Sequence, residues 1–266
     1  MHRSGTSLLA NWLYRCGLNL GDSFVKTDVG NVKGYFEDEL LVSFQRRMTK
    51  DLSLESDYLI WEEQISPMEK HLKEAKSIVA KRNNNLNQWS WKDPRTCLFM
   101  DLWQVVIPNL YCVAVFRHFD EVVDSLVRRK IKAEKIRRNK LAGFYNQITK
   151  SKYKKREYID KYLKSWIRHN KEILKFLNSS SKRNSVLIES KFVAKNSKEL
   201  FYLIKRDFGF EIENVDFKNV FESGLMKDER DTYDYSKDLR VEAENLYKKL
   251  VDFSNKGAIY SQSWMN

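Results

Sequence analysis

The sequence predicts an α/β chain built on a mainly parallel sheet with helices over both faces. Two short runs point there, Tyr111–Phe116 (YCVAVF) and Ser185–Ile188 (SVLI). Both are apolar and rich in β-branched residues, without the polar alternation of a half-exposed strand, as strands buried on both faces should be. Longer stretches with apolar residues at helical spacing lie around them, and such alternation belongs to parallel sheets. Across 266 residues there are three prolines, no repeat, no low-complexity tract and no break in composition. One domain spanning 1–266 is therefore expected.

Taken in order, Leu8, Leu9, Trp12, Leu13 and Cys16 predict a helix that Gly17 ends. Residues 22–38, with Gly30 and Gly34, predict an ordered loop. Leu40–Met48 predicts a short helix and Glu62–Arg82 a longer, more solvated one. Trp89-Ser90-Trp91 predicts the end of a short strand, and Pro94 turns the chain at Lys92-Asp93-Pro94-Arg95. After YCVAVF a helix begins near Asp120, with Val122, Val123, Leu126 and Val127 on one side. Leu200–Ile204 and Val241–Val251 carry further helical spacing.

The net charge of +12 is local. Thirteen of the 48 basic residues fall between Arg128 and Arg156, opposed there by Glu134 alone, so the rest of the chain balances 35 against 35. A concentrated basic run suits an anionic partner, or else forms a solvated helix face. Aromatic residues in and beyond it are irregularly spaced, which makes nucleic acid an unfavoured partner. Three scattered cysteines without a CxxC pair argue against a disulfide framework and a zinc site. The four histidines lack ligand spacing, so no metal is expected. No apolar run approaches the ~18–20 residues of a membrane span, and the N-terminus lacks a signal-peptide layout. A cytoplasmic location is expected.

Three constellations carry chemistry. The first is His2-Arg3-Ser4-Gly5-Thr6-Ser7, a glycine-containing turn feeding a helix. Such a turn aims backbone N–H groups and the positive helix end at an anion, while Arg3 adds charge and Thr6 and Ser7 add hydroxyls. The triphosphate loop GxxxxGK[ST] has a lysine after its second glycine. Thr6 stands there instead, which favours a monophosphate or phosphosulfate; the bland alternative is a helix cap with no ligand. The second is Arg117, just past the strand, with Ser125 eight residues on. An arginine fork and a hydroxyl could share one phosphate beyond a strand's carboxyl end, unless Arg117 only pairs with Asp120 or Asp124. The third is Lys92 in Trp91-Lys92-Asp93-Pro94-Arg95. It is placed to neutralise a leaving oxygen, or is the exposed lysine of a tight turn.

Together, HRSGTSLL, WKDPRTC and VFRHFDEVVDSLVRRK resemble the PAPS-dependent sulfotransferases. The likeness is closest to the bacterial sulfotransferase-family proteins and the tyrosylprotein type, with their PRSGTT, KDP and R-x7-S elements. It runs from residue 1 to about 130, with a weaker echo over Val186–Gly209. PAPS is 3′-phosphoadenosine 5′-phosphosulfate. The resemblance implies a P-loop NTPase-like three-layer fold and sulfuryl transfer to a hydroxyl or amine of an unidentified acceptor, such as a small molecule, glycan or lipid. It implies Arg3, Ser4, Gly5, Thr6 and Ser7 on the 5′-phosphosulfate, Arg117 and Ser125 on the 3′-phosphate, and Lys92 beside the transferred group, with Arg3 also counted as catalytic. Asn31–Asp38 resembles the bacterial NPKGYFE stretch and makes Glu37 the candidate general base, with Asp38 and Asp28 as rivals. His2 and His118 are read as hydrogen-bonding neighbours.

The family's loop follows a buried strand, whereas here Met1 already occupies the loop. The first strand is therefore expected to be missing, leaving a sheet with backbone groups in need of partners. The competing functions are a nucleotide kinase or ATPase of related fold, and a non-catalytic basic nucleic-acid-binding protein on a decayed transferase scaffold.

Overall fold

The computed structural model describes residues 1–26, 34–54, 65–138, 156–179, 184–220 and 233–256. The predicted strands form, as β1 (Cys112–Phe116) and β2 (Ser185–Glu189), and they pair in parallel with Ala114 opposite Leu187 and Val115 opposite Ile188. The helices are α1 (Thr6–Arg15), α2 (Glu39–Asp51), α3 (Glu69–Asn85), α4 (Met100–Val106), α5 (Phe119–Arg138), α6 (Arg156–Ser179), α7 (Ser197–Tyr202) and α8 (Lys237–Lys256). The chain is thus α/β, mostly helical, with a small parallel sheet.

The register explains why both strands read as continuously apolar. Ala114, Phe116 and Leu187 face a core formed with α5, α6 and α8, through Val123, Leu126, Trp166, Ile167 and Leu246. Val115, Val186 and Ile188 face the opposite core with α1 and α7, through Leu9, Trp12, Leu13 and Leu200. Successive residues of a strand point to opposite faces, so a strand covered on both sides has no polar position to spare. A third cluster joins α2 and α3 to α4, through Phe44, Met48, Ile78 and Trp103.

One expectation is corrected. Trp89–Trp91 has no regular secondary structure and joins no ladder among the described residues; instead Ser90 N–H donates to Asn19 C=O at 2.8 Å. Asn87–Asp93 and Cys112–Val115 both line a cavity of about 490 Å³, which Met1 also lines. Among the described residues β1 has β2 as its sole partner. The basic run leads into α6, whose 24 residues begin at Arg156 and bury Ile159, Tyr162, Leu163, Trp166 and Ile167. No helix among the described residues is long and apolar enough to cross a membrane.

Candidate active site

The opening loop has the backbone geometry of an anion nest. Arg3 (φ 64°) and Gly5 (φ 89°) both lie in the left-handed region, bracketing Ser4. Gly5 caps α1, and the first intrahelical bonds run from Leu8 and Leu9 N–H to Gly5 C=O. The N–H groups of Thr6 and Ser7 thus take no partner from the helix. Alternating left-handed residues turn successive N–H groups into one concavity, the geometry of an anion nest. Ser4 is fully buried, and its hydroxyl has no hydrogen-bond partner among the described residues. A Cβ at Gly5 would sit 3.2 Å from Ser190 Cβ on top of a strained φ. Gly5→Ala is expected to cost about 1–3 kcal/mol of stability, measured by urea unfolding, and to weaken anion binding.

Lys92 reaches this loop. Asp93 holds the KDPR turn by a two-pronged pair with Arg95, at 2.9 and 2.7 Å, and by accepting Arg95 N–H at 2.9 Å. Trp91 locks the preceding residue, with Nε1 on Thr96 Oγ1 at 3.0 Å and its ring 4.9 Å from that of Trp103. Lys92 is consequently largely enclosed, its side chain 11% exposed, and is not the exposed lysine of a tight turn. Its Nζ donates to Ser7 Oγ at 3.0 Å, Tyr35 C=O at 3.1 Å and Glu37 Oε1 at 2.6 Å. Burial pushes the Lys92 ammonium below its ordinary pKa, against the attraction of Glu37. Burial likewise raises the Glu37 carboxyl, and Lys92 opposes that shift.

The rivals for the base separate. Asp38 caps α2 by accepting Leu41 N–H at 3.0 Å and pairs with buried Arg82 at 2.5 Å. Its contacts are structural ones, within the frame that carries Glu37. Asp28 lies outside the described residues. Desolvation, with Arg95 next, holds the His2 imidazole well below the usual range, so it is a poor proton acceptor. His118 stacks on Phe119 and receives Asp120 N–H at 3.3 Å. His71 meets Asp51 at 3.0 Å, and His169 bonds the Ser165 carbonyl and is pushed down to about 3 by burial.

The second constellation is only partly assembled. Arg117 pairs with Glu121 one helical turn on, neither with Ser125 nor with the Asp120 or Asp124 of the bland alternative. Ser125 Oγ instead accepts from Arg3 Nε at 2.9 Å, which joins the opening loop to the β1–α5 junction. Arg117 still lies within electrostatic reach, since burial, then Arg129, Arg117 and Arg128 all lower the Arg3 pKa. Sequence reasoning missed Arg129, whose Nη2 donates to Tyr35 Oη at 3.2 Å. The signal was present: Arg129 stands four residues after Ser125, on the same helix face. Arg128 of the same basic run pairs with Asp124 at 2.7 Å, while residues 139–155 of that run lie outside the described residues.

The result is a cationic end (Arg3, Arg129, with Arg117 and Arg128 near) and a second end formed by Lys92, Glu37 and Ser7, joined through the loop. No family model, no curated protein and no solved structure matches this chain.

Proposed function

We propose that the chain is a PAPS-dependent sulfotransferase on a P-loop-like three-layer scaffold, acting on a hydroxyl or amine. One observation carries the reading: Lys92 Nζ stands within 3.1 Å of Ser7, Tyr35 and Glu37. The loop lacks the lysine of a triphosphate cradle, and a cation from 85 positions further on takes a place at its rim. That places one buried charge between an anion nest and a carboxylate, the arrangement an in-line group transfer needs.

In this mechanism Glu37 accepts the acceptor's proton while the acceptor oxygen or nitrogen attacks sulfur. The bond from sulfur to the 5′-phosphate oxygen breaks, and its electron pair leaves on that oxygen. Lys92 and the Thr6 and Ser7 N–H groups neutralise the charge that gathers there. Arg3 and Ser125, with Arg117 and Arg129 near, face the nucleotide's other phosphate. The acceptor class is a small molecule, glycan or lipid, and the basic run at 128–156 favours an anionic one. Three free thiols fit a reducing, cytoplasmic setting.

The test is thermal melting with the product nucleotide, 3′-phosphoadenosine 5′-phosphate (PAP), beside ATP and RNA. Ligand at ~100 times its dissociation constant adds roughly 2.7 kcal/mol to native stability, a rise of about 5 °C or more for a domain this size. A shift with ATP and none with PAP points to the kinase or ATPase, and one with RNA alone to the nucleic-acid-binding scaffold; either overturns the proposal.

Glu37→Gln should lower turnover by about 10²–10⁴-fold, the span of general-base catalysis, and leave PAP affinity unchanged. Because burial raises the Glu37 pKa, its carboxylate is present only above a pH higher than that of an ordinary glutamate. The unaltered enzyme should therefore lose turnover as pH falls through that raised value. The variant's acid limb should vanish, as read by sulfate transfer from labelled PAPS to an acceptor found by screening. Retained turnover or an unchanged limb would move the base elsewhere.

A further inference from the structure

We propose that Tyr35 is a positioning residue that ties the cationic end of the site to the Lys92–Glu37 pair, so that the two ends are arranged together. The inference rests on the sulfotransferase reading above.

Tyr35 touches both ends. Its phenolic oxygen accepts from Arg129 Nη2 at 3.2 Å, and the Arg129 guanidinium lies 6.0 Å from the centre of its ring. Its own carbonyl accepts from Lys92 Nζ at 3.1 Å. Between these contacts there is little slack. Phe36 follows at φ 50°, a left-handed conformation that is costly for an aromatic residue and persists only where the surroundings impose it. They do: the Phe36 ring packs against Tyr14 and Phe24, at 6.0 and 5.9 Å between centroids. Val25 N–H then holds Glu37 C=O at 2.9 Å, and Phe24 bridges Asp38. The backbone from Tyr35 to Asp38 is therefore held at every residue.

The chemistry of the contact suits an anion site. A carboxylate beside Arg129 would cancel its charge. A phenol takes up one of the five guanidinium donors and brings no negative charge of its own. Arg129 is also the charge that most lowers the Arg3 pKa after burial itself, so the two guanidinium groups are held close against their repulsion. Pinning one of them reduces the reordering needed when an anion arrives.

The test is calorimetric binding of PAP and of adenosine 5′-monophosphate, which lacks the 3′-phosphate, to the full chain. Tyr35→Phe keeps the ring and the carbonyl and removes only Oη. It should weaken PAP about tenfold and adenosine monophosphate less than about twofold, the loss of one hydrogen bond to a charged group. Arg129→Met, altering the other side of the contact, should reproduce that selective loss. Lys92→Ala should reduce the preference for PAP over the monophosphate in the unaltered background and leave it unchanged in Tyr35→Phe. Equal weakening of both nucleotides, unchanged PAP affinity in either variant, or the same effect of Lys92→Ala in both backgrounds overturns the inference while leaving the sulfotransferase reading intact. Failure of the unaltered chain to bind PAP overturns both.

Discussion

Replacing Asp38 with alanine is expected to destabilise the protein by about 3–5 kcal/mol, because it strands a buried cation. Arg82 has a side chain only 7% exposed, and its second partner, Asp22, is 75% exposed and holds it from the solvent side. Water cannot replace the Asp38 carboxylate in that position. The substitution also removes the cap of α2, worth roughly another 1 kcal/mol. Gly21 shows how closely the fold is built around this group: a Cβ there would lie 2.0 Å from Asp38 Oδ2. The double change Asp38→Asn with Arg82→Met keeps a capping side chain and removes both charges. It should cost less than about 2 kcal/mol, since a buried pair replaced as a pair is often near neutral. Urea unfolding of the single and double variants decides the matter. Equal losses would mean that packing, and not the unpaired charge, carries the effect. Because Glu37 is the neighbouring residue, Asp38→Ala should also lower turnover even where the protein is folded.

The second large effect is at Trp166. It is fully buried between the sheet and α5, edge-on to Phe119 at 5.7 Å, and its Nε1 donates to Arg117 C=O at 3.0 Å. Trp166→Ala is expected to cost about 3–5 kcal/mol, as large aromatic truncations in cores do. Trp166→Phe keeps much of the volume and leaves the Arg117 carbonyl without its donor, for about 1–3 kcal/mol. The same carbonyl sits where β1 hands over to α5, the junction that carries Arg117 and Ser125. Trp166→Phe should therefore weaken PAP a few-fold beyond its effect on stability. A Trp166→Ala variant within about 1 kcal/mol of the parent in urea would show that the α5–α6 contact is not a main support of the core.

Much of the fold was legible because its signals are local. The stripe Leu8, Leu9, Trp12, Leu13 and Cys16 placed α1, and Gly17 follows it at φ 95° as a stop. The runs around Val113–Val115 and Val186–Ile188 placed both strands, since burial on two faces leaves its mark on every residue. The helix α6 has an equally plain stripe in Ile159, Tyr162, Leu163, Trp166 and Ile167, although no element is assigned there from the sequence. Trp89–Trp91 shows the opposite failure. Its residues suit a strand, yet pairing depends on a neighbouring strand, and among the described residues Ser90 instead bonds the backbone of Asn19.

The sequence by itself determined the candidate groups: the glycine turn at Gly5, the hydroxyls of Thr6, Ser7 and Ser125, the charges of Arg3 and Lys92, and the carboxylates in the 37–38 stretch. Residue type and spacing along one element suffice for that, because they set which groups share a loop or helix face. Only the tertiary structure decided how the groups pair. It brought Lys92 to Ser7 and Glu37, gave Ser125 to Arg3 in place of Arg117, and turned Asp38 toward Arg82. Contacts between residues 44 to 122 positions apart depend on how helices and strands pack, and packing is set by the apolar cores and not by the polar groups they position. The opening loop has the composition of an anion cradle on sequence grounds; Lys92 reaches its Ser7 only through the fold.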